Sequence, residues 1–317
     1  TTSLNTARER LAGAGTQTAG LAFGGDAPPV SAATEEFTQG ASPFAAWSSG
    51  GNMGTARSTL GGTGTQTAAV VFGGNLGSNT VTNATEEYGG TSWTAGGNMG
   101  TARRGMASAG TQTAALGSGG YIVPATTTNV TEEYNGTAWT GGGNLGTARY
   151  ALAGCGTQTA GLAFGGGQPT KTATEEYNGT AWTAGGSLTA ARASLAGAGT
   201  QTAALAFAGP PASEEYNGTA WTNGGSLNTA RASLAGAGTQ TAAIAFGGNP
   251  GPRQVLTELY DGSSWTNTTP LSTGHYLTSG AGTQTAALCA GGEAATLTAA
   301  TEEFSQFGPE TATITTT

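Results

Sequence analysis

The chain has 317 residues, of which 57 are glycine and 58 threonine, and its formal net charge is −8. A helical protein is excluded, because each interior glycine costs a helix roughly 1 kcal/mol relative to alanine and threonine loses rotamer freedom there. The lack of a Gly-X-Y period, together with 37% apolar content and six tryptophans, likewise excludes collagen and a disordered linker.

The tetrapeptide Thr-Gln-Thr-Ala starts at Thr16, Thr65, Thr111, Thr157, Thr200, Thr239 and Thr283, defining seven units spaced 39 to 49 residues apart. In chain order each unit reads as four short strands, a to d, and the fifth shows the pattern. Strand a covers Ala193 to Gly199 and Thr-Gln-Thr makes the first turn. Strand b covers Ala203 to Phe207, a variable loop follows, and strand c holds Ser213-Glu214-Glu215-Tyr216. Asn217-Gly218 then makes a two-residue turn into strand d around Trp221. Asn135-Gly136, Asn178-Gly179, Asp261-Gly262 and Gly89-Gly90 hold the same place. A type I′ hairpin needs two residues of positive φ, so c and d form a tight antiparallel pair. Asn-Gly-Thr also matches a glycosylation acceptor, as do Asn83, Asn129 and Asn267 in their contexts; the turn reading is preferred for the Asn-Gly cases.

Four-stranded units of this length, repeated seven times, predict an all-β protein: a seven-bladed β-propeller of antiparallel blades filling residues 1–317 as one domain. A β-solenoid would need far shorter rungs. Ser3 to Arg8 repeats the wording of Ser226 to Arg231, which follows a strand d, so the chain enters just before a strand a. Ile314 stands ten residues after Phe304, as Trp47 does after Phe37. The expected closure therefore keeps seven intact blades, with Ile314 in the last strand d and no strand overlap.

These residues resemble the kelch propeller family: an Arg opening strand a, a Gly-Gly pair closing strand b, then an aromatic and a Trp. The aromatics run from Phe37, Tyr88 and Tyr134 through Tyr177, Tyr216 and Tyr260 to Phe304. Two departures are a fifth unit with Ala208-Gly209 for the Gly pair and a seventh without Trp. The resemblance implies the propeller fold. The copper-radical oxidases that share it need histidine ligands, and this chain has one histidine.

Charges sort by register. Arg8, Arg57, Arg103, Arg149, Arg192 and Arg231 stand eight residues before Thr-Gln-Thr, and His275 takes that place in the seventh unit. The first Glu of strand c is present in all seven: Glu35, Glu86, Glu132, Glu175, Glu214, Glu258 and Glu302. The second is Glu in six and Leu259 in the other. We expect structural Arg–Glu pairs tying strand a to strand c, within or between blades, in preference to a metal-binding carboxylate ring.

No acid/base pair is singled out from glutamates present in every unit. Cys155 and Cys289 replace core alanines, too few for a disulfide framework or a zinc site. No cofactor or metal is expected and the protein is read as a non-enzyme. Nucleic acid is an unsuitable partner for a chain whose single lysine is Lys171, and no apolar run approaches a membrane span of roughly 18 residues.

Recognition should then sit in the b-to-c loops, which vary in length, and in the adjoining mouths of strand a. Candidate ligand-binding residues are Tyr121, Lys171 and Arg253 in the loops, with Arg10, Arg104, Ser194 and Ser233 at the mouths. Near-identical blades of Thr, Gly and Ala also resemble kelch-like repeat proteins of tailed bacteriophages. That resemblance implies a virion tail or fibre module, or an extracellular one, held in a larger assembly and touching other virion or surface proteins or host surface glycans. The alternatives are a secreted or cell-surface bacterial lectin and, third, a propeller hydrolase or lyase.

Overall fold

A computed structural model describes residues 12–15, 19–23, 34–38, 45–306 except 168, 210–211 and 250–252, and 314–316. Every helix or strand among them is a strand. The chain divides into two compact units, residues 46–305 and residues 1–45 with 306–317.

The larger unit is a β-propeller of six four-stranded antiparallel blades. Blade 1 runs outward from Gly61–Gly64 through Ala69–Phe72 and Thr85–Tyr88 to Trp93–Ala95. Blade 2 comprises Ala107–Thr111, Ala114–Ser118, Thr131–Tyr134 and Trp139–Gly141, with a small hairpin of Tyr121–Ile122 and Thr126–Thr127 in its b-to-c loop. Blade 3 comprises Ala153–Gly156, Gly161–Phe164, Thr174–Tyr177 and Trp182–Ala184. Blades 4 and 5 cover residues 196–226 and 235–268. The six strands a neighbour one another in a circle, the last beside the first. Their small residues permit the approach: a Cβ added at Gly154 would stand 2.9 Å from the Ser108 carbonyl oxygen of the neighbouring strand.

Two expectations are corrected here. The ring has six blades, not seven, and it closes by strand overlap. Blade 6 takes Ser279–Gly282, Ala286–Ala290 and Thr301–Ser305 from the end of the unit and its outer strand, Ala46–Ser49, from the beginning, with Trp47 opposite Phe304. Ile314–Thr316 instead pairs with Thr34–Thr38, Ile314 opposite Phe37, in the sheet of the smaller unit that also contains Ala12–Gly15 and Ala19–Phe23.

Contacts between neighbouring blades supply the physical reason. Trp139 of blade 2 donates its indole N–H to Thr85 Oγ1 of blade 1 at 2.9 Å. Gln112, from the Thr-Gln-Thr turn, donates to the carbonyls of Ala69 and Tyr88 at 3.1 and 2.7 Å, and the Tyr134 hydroxyl donates to Glu87 at 2.5 Å. The same three contacts join blade 1 to blade 6: Trp93 to Thr301 at 3.0 Å, Gln66 to the Phe304 carbonyl at 2.6 Å, and Tyr88 to Glu303. Trp47 donates back to Thr257 of blade 5 at 3.1 Å. In a seven-bladed ring Glu303 would face Phe37, which has no hydroxyl to give it. The six-bladed ring matches Glu303 with the Tyr88 hydroxyl.

Candidate functional site

The face that carries the b-to-c loops is held by charge from within. Arg57–Glu86, Arg103–Glu132 and Arg149–Glu175 pair at 2.7 to 2.9 Å, and Arg192–Glu214 and Arg231–Glu258 repeat the contact. Each pair lies within one blade, and the guanidinium side chains are at most 1% exposed. The second carboxylate oxygen accepts a backbone N–H of the d-to-a link, such as Gly54 or Gly146, each at 2.6 Å. Losing one partner would strand a buried charge, at a cost of about 3–5 kcal/mol. In blade 6, His275 Nε2 lies 3.4 Å from Glu302. Burial pushes the Glu302 carboxyl up, but the His275 side chain and the Ser272 N–H and hydroxyl outweigh it and leave the group below its ordinary range. The Arg8–Glu35 pair and Arg10 lie outside the described residues and side chains.

Two residues after each of these Arg or His positions the backbone turns left-handed. Thr59, Gly105, Ala151, Ser194, Ser233 and Leu277 have φ between 53° and 62°. Each donates its N–H to the preceding carbonyl, Gly105 to Thr59, Ala151 to Gly105, and so on until Thr59 donates to Leu277, all at 2.7 to 2.9 Å. Six amides thus form a closed hydrogen-bonded circle around the channel mouth. Ser194 and Ser233 belong to it, so their backbone groups serve the scaffold. Below the mouth the strands a line a cavity of about 280 Å³.

Outside this circle the sequence candidates divide into two clusters. Arg104 and Tyr121 face each other by backbone pairing, and the guanidinium carbon lies 5.3 Å from the Tyr121 ring centroid. Tyr150, from blade 3, completes the group with its ring 5.5 Å from Tyr121. The Tyr150 carbonyl accepts the Gly167 N–H at 2.7 Å. Lys171 covers that glycine, its Cγ 3.0 Å from where a Cβ would stand. Arg104, Tyr121, Tyr150 and Lys171 are all half-buried, a continuous rim across blades 2 and 3. Arg253 belongs to the second cluster, 5.7 Å from the Tyr276 ring. There the Tyr276 hydroxyl donates to Glu293 at 2.5 Å and Ser58 donates to the other Glu293 oxygen at 3.2 Å. Hydrogen bonding to Glu293, then burial, raises the Tyr276 phenol above its ordinary value.

Sequence reasoning missed Tyr150, Tyr276 and Glu293. The signal was available, since Tyr150 and Tyr276 follow the repeated Arg or His directly, at the register of Arg104, where other described units carry Ser58, Ala193 and Ala232. Cys155 and Cys289 are buried, and burial pushes both thiols up to about 12. Among the described residues no three His, Cys, Asp or Glu side chains gather to hold a metal ion.

The chain shares its fold with solved structures. A structure of YjhT superposes with a TM-score of 0.67 at 13% identity, covering 83% of this chain and 99% of that one. Comparison with protein-family models and with curated proteins finds no match. The likeness concerns the fold alone.

Proposed function

We propose that this propeller is a non-enzymatic, kelch-type attachment module of a virion, tail- or fibre-like, which reads a host surface glycan with the rim of its b-to-c face. The observation that carries this reading is the Tyr121–Tyr150 pair beside Arg104 on a rigid ring. Tyrosines present an apolar face and a polar tip at small entropic cost, which suits sugar rings. The carboxylates of the blades are otherwise engaged. The first glutamate of strand c holds a guanidinium or imidazole, and the second, in five of the six blades, accepts a phenol from the next blade. That supports binding over acid/base catalysis. The opposite face, built from the repeated Thr-Gln-Thr turns and the Gly-containing c-to-d turns, is the side we assign to attachment within the assembly.

A glycan array on the purified chain, run beside Y121A/Y150A, tests the proposal. We expect binding by the parent and at least about tenfold weaker binding by the variant, because aromatic anchors carry most of such interfaces. A folded parent that binds no glycan would move the protein to a purely structural role.

A further inference from the structure

Resting on that reading, we infer that the saccharide taken at the blade 2–3 rim carries an anionic substituent, a carboxylate or a sulfate, received between Arg104 and Lys171. Among the described residues there are eight Lys and Arg side chains, and five are the buried arginines that each hold a glutamate. The remaining three, Arg104, Lys171 and Arg253, all stand on the b-to-c face. No salt bridge joins Arg104 or Lys171 to a described carboxylate, whereas Arg253 shares its cluster with Glu293.

The neighbourhood of the first two contains no acid to offset them. From Glu87 to Glu132, from Glu133 to Glu175 and from Glu176 to Glu214 the sequence has no Asp or Glu. The loops and links of blades 2 and 3 are therefore free of negative side chains. Glu132 and Glu175 at their ends are buried under Arg103 and Arg149. The overall charge of −8 does not cancel this sector, because fields between exposed charges fade over about 8 Å at physiological ionic strength. An anion stacked by its ring on Tyr121 and Tyr150 would meet one guanidinium with paired donors and one ammonium, and charge-assisted hydrogen bonds are the stronger kind. A neutral sugar would leave both cations without a counter-charge.

The experiment is titration calorimetry of the full chain with four probes: dextran sulfate, dextran, an oligogalacturonate and its methyl ester. The variants are R104Q, K171Q and, at the other cluster, R253Q, each checked for an unchanged melting temperature. We expect at least one charged probe to bind and its neutral counterpart to bind about tenfold or more weakly. R104Q and K171Q should each weaken binding by about three- to tenfold, with R253Q near the parent. K171Q decides the matter if R104Q disturbs folding. Equal binding of charged and neutral probes, or binding only of neutral array glycans, would overturn the inference and leave the glycan-binding reading standing. Failure of every glycan would overturn both. Charged-probe binding that ignores K171Q and R104Q, or that vanishes in R253Q, would overturn the assignment to this rim.

Discussion

Leu259 shows how strictly individual residues are matched around the ring. It interrupts the series of second glutamates at the one place where the next blade offers Phe304 in place of tyrosine. Y134F alone should leave Glu87 without its phenol donor, and E87L alone should leave the Tyr134 hydroxyl without its acceptor. Each should cost about 1–3 kcal/mol in urea unfolding. E87L/Y134F recreates the Leu259–Phe304 combination and should cost less than the two singles together, a positive coupling readable from the cycle. The same phenols set an alkaline limit. Burial first, then the accepting carboxylate, pushes Tyr88, Tyr134, Tyr177, Tyr216 and Tyr260 up to about 12, against about 10 in an unfolded chain. Between about pH 10 and 12 the unfolded chain releases phenolic protons that the ring retains, so the folded state loses stability as pH rises through that window and is unaffected below it. Absorbance at 295 nm should show these five ionising together with unfolding.

At the level of elements, the four-strand reading of each repeat was legible because its signals are local: a Gly-containing turn and an aromatic before a Trp. The expected two-residue Asn-Gly turn is corrected: Tyr134 pairs with Trp139, so residues 135–138 link the strands, positive φ is confined to Gly136, and Asn135 Oδ1 instead accepts the N–H groups of Thr137 and Ala138 at 3.0 and 2.9 Å. In the fifth unit the expected strand around Trp221 is the observed Trp221–Ser226. The small hairpin Tyr121–Ile122 with Thr126–Thr127 was not legible, for its strands are too short for alternation to show and the loop that holds it is as long as that of blade 1. Tyr150 escaped for a different reason. It lies at a mouth of strand a, following Arg149 as Arg104 follows Arg103, and its role shows only once the Tyr121 ring of the neighbouring blade is placed beside it. The function of the Thr-Gln-Thr motif was also hidden until neighbours were placed. Its glutamine reaches across to two carbonyls of the preceding blade, as Gln158 does to Ala115 and Tyr134 at 3.0 and 2.6 Å.

For the whole molecule, repeat number did not give blade number. Seven units share one wording, and the ten-residue spacing from Phe37 to Trp47 equals that from Phe304 to Ile314, so local pattern allows either outer strand to serve either sheet. Donor and acceptor matching between adjacent blades decides it, and those partners are remote in sequence. If residues 46–305 are self-sufficient, that piece should unfold in urea as one cooperative unit. A piece starting at residue 50 lacks Trp47, which packs against both Phe246 and Phe304 at 5.0 and 5.2 Å. Its stability should fall by about 3–5 kcal/mol, and hydrogen exchange should accelerate first in blade 6.

The overlap that closes blade 6 has a temporal side. During synthesis the strand holding Ser48 leaves the ribosome 255 residues ahead of its partner at Glu303. At about 5–20 residues per second it waits roughly 10–50 s with its edge unpaired. Through that interval blades 1 to 5 can stack as an open arc whose two ends are the surfaces most prone to pair with a neighbouring nascent chain. The cell must therefore keep each growing arc apart from its siblings until the final strands emerge, and closure then removes both ends at once.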